Sequence, residues 1–254
     1  MRYIKYRAEI APARLRQFRR AVLKFYRAEG RDLPWRRTRD PYAILVSEIL
    51  LHQTTVATVQ PVYEAFMAEF PTVRDLASAS LGSVKRITDP LGYKIRGAWL
   101  WQIAQRVVEN HAGQVPRTLP ALMDLPGVGR YTASAVMAFA YGRRAGVLDT
   151  NVSRVLGRFF QVPADSTAER EHQLWALAEA VVPRRQAWPF NQGLMDVGAL
   201  RCRARKPLCT RCPLVRDCPA AQGTAARAAE SAPPEVWFWE APPDRVRRRS
   251  AAPG

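Results

Sequence analysis

Four cysteines fall between positions 202 and 218 and the chain has no others, so one short segment must gather four thiols. Their order is Cys202, Cys209, Cys212 and Cys218, with six, two and five residues intervening. Such clustering argues for a single metal site over a disulfide framework, which spreads its half-cystines along a secreted chain. Four thiolates can hold a tetrahedral zinc or a four-iron cluster. Zinc sites usually show two close cysteine pairs, whereas here only Cys209 and Cys212 are close. Arg201, Arg203, Arg205 and Lys206 ring the segment and make it basic.

A second constraint is the stretch Leu125 to Asn151, LPGVGRYTASAVMAFAYGRRAGVLDTN. Pro126, Gly127 and Gly129 break an apolar approach, and from Arg130 onward Ala133, Val136, Met137 and Ala140 share one helical face. A glycine turn therefore opens a helix. Glycine permits the bend and lets unpaired amides at the helix start come close to an anion, so a phosphate suits this turn. Tyr141-Gly142 closes the helix, and Val147-Leu148-Asp149 sets one carboxylate just before the next helix start at Asn151. Read as plain structure, the same stretch is a Gly-Pro turn between two core helices with a capping aspartate.

At 254 residues the chain has room for one or two cores, and its formal charge of +17 with pI near 10.7 points to a polyanionic partner. An anionic membrane would fit the charge alone. No stretch is long and apolar enough to cross a bilayer, and MRYIKYRAEIAPARLRQF lacks the apolar core of a signal peptide, so the expectation is an intracellular protein without a membrane partner. Past Ala220 the composition shifts to Ala, Pro, Arg and Glu, which reads as a flexible tail. Its five arginines face three glutamates and one aspartate, so the positive excess belongs to the body. The aromatic island Val236-Trp237-Phe238-Trp239 in that tail has no assigned role.

Elsewhere the pattern is helical. Leu15, Phe18, Val22 and Phe25 give residues 11–28 an apolar face, and 56–69 and 166–182 read as further amphipathic helices. Glu48 stands out inside the apolar run Tyr42 to Leu51. A carboxylate there costs several kcal/mol unless paired or protonated, and such a site raises its pKa. The plainer alternative has Glu48 facing solvent or pairing with Arg36 or Arg39. RDLPWR offers an aromatic wall and two cations that suit a base and its phosphates, or else an ordinary Trp-anchored turn. Leu91 and Tyr93, in the turn before a long helix, read as a wedge for a duplex step or as a hydrophobic staple. Gln192 carries an amide able to read an adenine edge, or is a helix-start glutamine without a partner. Trp99 and Trp101 read as packing residues.

LPGVGRYTA followed by VLDTN resembles the signature of the helix-hairpin-helix-Gly-Pro-Asp DNA glycosylases related to endonuclease III, and the likeness extends over about residues 28 to 219. The cysteine spacing matches the [4Fe-4S] loop of that family. The resemblance implies an all-α fold of two helical lobes around a DNA-binding cleft: a six-helix lobe with the hairpin over 29–151, an N-terminal helix plus iron-sulfur lobe over 1–28 and 152–219, and the tail over 220–254. It implies a [4Fe-4S] cofactor on the four cysteines, a monomer, and double-stranded DNA with a mispaired or damaged base as partner. Glu48 would be a proton donor and Asp149 the second carboxylate, with Tyr131 and Asn151 beside them. Arg31, Leu33, Trp35 and Arg36 would surround the pocket entrance. Gln53 and Thr54 would meet the DNA stack, Leu91 and Tyr93 would intercalate, Gly127, Gly129 and Arg130 would grip the strand, and Gln192 would contact the base. Bifunctional members carry a lysine where this chain has Tyr131, so the resemblance implies base removal without strand cleavage. Glu48, Tyr131, Asp149 and Asn151 suit both the adenine glycosylases acting on A opposite G or 8-oxoguanine and the T/G-mismatch thymine glycosylases. Gln53 and Gln192 lean toward adenine, while the short chain leans toward thymine; a non-catalytic lesion-binding protein is the remoter alternative.

Overall fold

A computed structural model describes residues 10–163 and 167–222, and among these every regular element is helical. The expected tail and its aromatic island, from residue 223 on, and the first nine residues lie outside the described residues. No described helix is long and apolar enough to cross a membrane.

Helix α1, Pro12–Glu29, starts at a proline and buries Phe18, Val22 and Phe25 on one stripe, as its spacing predicts. Helix α2, Pro41–Leu50, is started by the Asp40 carboxylate accepting from the Tyr42 amide at 3.0 Å. It is buried from Tyr42 through Leu50, which is the signature of a helix sunk in a core. Around it wrap α3 (Val56–Glu69), α4 (Val73–Ser78), α5 (Leu81–Thr88), α6 (Ile95–Asn110), α7 (Leu119–Met123) and α8 (Arg130–Phe139). The expected six-helix lobe thus holds seven α-helices among its described residues. The reason is local: Thr72 and Asp75 form a reciprocal cap on α4, and Ser80 caps α5. Two caps eight residues apart split what reads as one short helical piece.

Beyond α8 come α9 (Thr150–Phe160), α10 (Thr167–Val181), α11 (Ala187–Leu200) and the short α12 (Pro219–Gln222). Two apolar cores result. One joins Leu33, Trp35 and the buried faces of α2 to α8, and the other joins α1 to α9, α10, α11 and Leu214. Helix α11 runs between them, and Met195 packs against both. Gly198 lets α11 close on α9, since a Cβ there would stand 2.7 Å from that of Asn151. The segment of α9 that begins at Asp149 is thereby pressed into the seam between the cores.

Candidate active site

Helix α2 packs against α8, and that contact brings Glu48 to Tyr131. Glu48 is 3 % exposed, and its Oε2 is buried with no hydrogen-bond partner. Its carboxyl lies within hydrogen-bonding reach of the Tyr131 phenol and senses the charges of Asp149 and Arg36. Burial pushes the Glu48 pKa up to about 7, with Asp149 adding to the rise and Tyr131 and Arg36 opposing it. The same burial, with Glu48 and Asp149 nearby, raises the Tyr131 phenol well above its ordinary value. Solvent exposure of Glu48, and its pairing with Arg39, are both excluded: Arg39 donates to the Phe139 carbonyl at 2.8 Å and stacks 4.4 Å from the Trp188 ring centre.

Asp149 enters the site as the N-cap of α9. Its Oδ1 accepts from the Val152 amide at 2.6 Å and its Oδ2 from Asn151 Nδ2 at 2.9 Å. Asn151 in turn accepts from Arg154 at 2.8 Å. The helix starts at Thr150, so Asn151 sits one residue inside it. Burial raises the Asp149 pKa, and the Val152 amide, Asn151 and Arg154 pull it back. Two carboxyls of different surroundings thus share one apolar seam.

Arg31 and Arg36 converge on Asp196 of α11. Arg36 donates to both Asp196 oxygens, at 2.8 and 2.9 Å, and Arg31 donates through its amide at 2.9 Å and its Nε at 2.7 Å. Burial alone would raise the Asp196 carboxyl, but Arg36 and Arg31 hold it below the ordinary carboxylate value. Leu33 and Trp35 are core residues, and Trp35 packs edge-on against Tyr63 at 5.2 Å between ring centres. Gln192 is buried on α11.

On the other flank, Gln53 is exposed in a left-handed turn at φ +52, beside the half-buried Thr54. Leu91 is folded into the first core and Tyr93 is half-buried, so of the expected wedge pair the tyrosine is the more accessible. Gly127 adopts φ +69, and Gly129 stands at the N-terminus of α8. Arg130 lies 4.1 Å from the Trp175 ring centre, and so docks the hairpin onto α10.

The cysteine segment closes on itself by two 3-10 turns, Cys209–Arg211 and Val215–Asp217. All four thiols are free and half-buried, and Cys202, Cys212 and Cys218 pack against the second core. Arg158 donates to the Cys202 sulfur at 3.4 Å. Burial pushes the Cys212 thiol up to about 11, and Cys202, Cys218 and Cys209 add to the rise. The four sulfurs therefore share one environment. Among the described residues, no group of three or more His, Cys, Asp or Glu side chains is gathered tightly enough to hold a metal ion. Four soft thiols in one short loop suit a zinc ion or a four-iron cluster alike.

The sequence profile of the HhH-GPD superfamily base excision DNA repair proteins matches residues 46–180, a span that contains Glu48, the glycine turn and Asp149. The chain belongs to this superfamily. It is 44% identical over 220 residues to the adenine DNA glycosylase of Homo sapiens, an alignment covering 83% of this chain and 40% of that protein. It therefore spans about two fifths of the length of that relative, and 42% of the Rattus norvegicus one. The thymine/uracil-DNA glycosylase of Methanothermobacter thermautotrophicus is 38% identical over 198 residues, covering 78% of this chain and 90% of that protein. A solved thermostable thymine-DNA glycosylase superposes with TM-score 0.77 at 36% identity, over 83% of this chain and 97% of the other. A trapped endonuclease III–DNA covalent intermediate shares the HhH-GPD fold at TM-score 0.72 and 24% identity.

Within the HhH-GPD frame, Glu48, Tyr131, Asp149, Asn151 and Arg36 meet in one seam, while Gln53, Tyr93 and the glycine turn lie along another edge. Asp196 was missed by sequence reading, although a carboxylate inside FNQGLMDVGAL carries the same signal that singled out Glu48. Arg96 and His52 were missed too. Arg96 is fully buried, donating to the Tyr93 carbonyl at 3.1 Å and to the His52 carbonyl, and nothing in the helical pattern around it announces that burial.

Proposed function

We propose that this chain is a monofunctional DNA glycosylase that hydrolyses the N-glycosidic bond of a mispaired base, adenine opposite guanine or 8-oxoguanine, in duplex DNA. The observation that carries the reading is the buried, unpartnered Glu48 Oε2 beside Tyr131 and Asp149. The target nucleotide is flipped out of the stack, since its glycosidic bond is out of reach within it. Glu48, whose pKa burial pushes up to about 7, stays protonated in a large fraction of molecules at neutral pH and gives that proton to the departing base. Asp149, whose ionised form is favoured by the Val152 amide and Asn151, faces the positive charge that develops on the deoxyribose. This is the division of labour between two carboxyls that acid-assisted glycoside cleavage uses. Tyr131 supplies no amine, so no Schiff base forms and the strand stays intact.

An acid that donates to a ring nitrogen suits adenine, whose ring nitrogens are basic, better than thymine, which has none. Adenine glycosylase relatives at 44% and 45% identity support the same choice. The thymine/uracil relatives at 38% to 40% identity favour a second reading, removal of thymine or uracil opposite guanine. Incubation with A/8-oxoG, A/G, T/G and U/G duplexes, followed by alkali, separates the two. Cleavage only after alkali at adenine supports the first reading; cleavage at the pyrimidine alone replaces it with the second.

Cys202, Cys209, Cys212 and Cys218 would hold a [4Fe-4S] cluster. Such a cluster would cross-link the loop without acting on the base, leaving Arg158 and the surrounding cations to present a basic surface. The +17 charge supports duplex DNA as the partner, bound by a monomer inside the cell.

A further inference from the structure

Three segments meet on the indole of Trp99, in α6. A Cβ added at Gly127 would lie 2.4 Å from Trp99 Cδ2 and 2.5 Å from Cε3, so the glycine turn rests on the ring at a distance no other residue allows. The His52 ring packs edge-on to the indole at 5.9 Å and 80°, and the Tyr93 ring does the same at 5.8 Å and 74°. His52 adjoins the exposed Gln53. Arg96 binds the carbonyls of His52 and Tyr93, and His52 Nε2 stands 3.2 Å from Thr132 Oγ1 in α8. Burial, with Arg96 nearby, pushes His52 down to about 4, so its ring is neutral near pH 7 and packs as an uncharged aromatic.

We propose that Trp99 is a positioning residue that locks the glycine turn at Gly127 to the Gln53 and Tyr93 turns, so that phosphate capture and entry of the tyrosine into the duplex occur as one event. The inference rests on the glycosylase reading for the roles of those turns. Three loops held by separate contacts would each find the strand independently. Held on one ring, they reach it in fixed register, and a displacement near 1 Å is enough to cost about a hundredfold in rate. Edge-to-face aromatic pairs attract beyond their buried area, which suits a rigid junction.

The test uses the full chain and a duplex with 2-aminopurine beside an uncleavable target nucleotide, so that fluorescence reads extrusion apart from chemistry. Trp99→Leu is expected to lower extrusion and kcat by about tenfold or more. Trp99→Phe should restore most of the loss. Tyr93→Ala combined with Trp99→Leu should fall no further than the worse single variant, because both act on one event. Unchanged extrusion in Trp99→Leu, or losses that multiply in the double variant, would overturn the coupling. If Trp99→Leu melts early, Trp99→Met, which keeps apolar bulk but no ring, and the cycle built on it carry the same comparison. A chain that extrudes the base but never releases it would refute the glycosylase reading while leaving the coupling measurable.

Discussion

Arg36 and Asp196 form a two-pronged ion pair, at 2.8 and 2.9 Å, with neither residue more than 8 % exposed. Arg36 belongs to the segment that enters the first core and Asp196 to the helix between the cores, so the pair fixes how the seam around Glu48 is held. Breaking a buried pair from one side leaves an uncompensated charge. Asp196→Asn is expected to lower unfolding free energy by about 3 to 5 kcal/mol in urea titrations. Because Arg36 and Arg31 hold the Asp196 carboxyl below its usual range, this stabilisation is present at neutral pH and lost as pH falls through the lowered value. A loss under about 1 kcal/mol, the level of an exposed pair, would show that the clamp is not what holds the seam.

Glu48 is expected to limit stability in the alkaline direction. Its folded value of about 7 lies above the ordinary 4.5, so between those values the folded chain keeps a proton that the unfolded chain releases. Stability from this group is therefore full below pH 4.5 and declines as pH rises toward 7, by about 3 kcal/mol in all. Glu48→Gln removes the penalty: thermal melts should show the variant more stable than wild type at pH 8 and equal to it at pH 4.5. Base release by wild type should decline as pH rises above about 7, where Glu48 gives up its proton. A flat rate from pH 6 to 9 would sever the link between this carboxyl and turnover.

On the resemblance to the endonuclease III-like glycosylases, Tyr131 would stand where bifunctional members carry a lysine. Wild type should form no borohydride-trapped adduct with abasic-site DNA. Tyr131→Lys puts an amine in a site whose burial disfavours the charged form, and should yield trapped adduct and strand nicking. Trapping by wild type would mean that another amine reaches the sugar and that the strand-sparing reading fails.

The cysteine loop predicts a brown protein with about four irons per chain. Cys209→Ser should lose the colour and loosen the second core, since Cys202, Cys212 and Cys218 pack against it, with a fall in melting temperature and in duplex affinity at low salt. Stoichiometric zinc and no visible absorption would replace the cluster with a structural ion.

Much of the fold was legible because its signals are local. The stripe Phe18, Val22, Phe25 and the turn at Gly127 needed only helical periodicity and glycine to be read. The apolar neighbours of Glu48 singled it out but left burial open against exposure or pairing with Arg36 or Arg39, and the family resemblance was needed to choose. The Asp196 clamp was not legible, although its surroundings are as apolar, because its arginine partners lie 160 and more positions away and spacing along a chain says nothing of such pairs. Leu33, Trp35 and Leu91, expected near the DNA, are buried in the first core, since an apolar side chain beside a cation reads alike in a pocket wall and in a core. Trp99 was seen only as packing, and its contact with three loops exists only in the tertiary structure.

The central claim is that Glu48 supplies the proton that lets the base depart. Single-turnover cleavage of an A/8-oxoG duplex by Glu48→Gln, with duplex affinity measured alongside, tests it most directly. General acid catalysis predicts a loss of about a hundred- to ten-thousandfold in the chemical step with affinity within about twofold of wild type. A variant that releases adenine at the wild-type rate would contradict it.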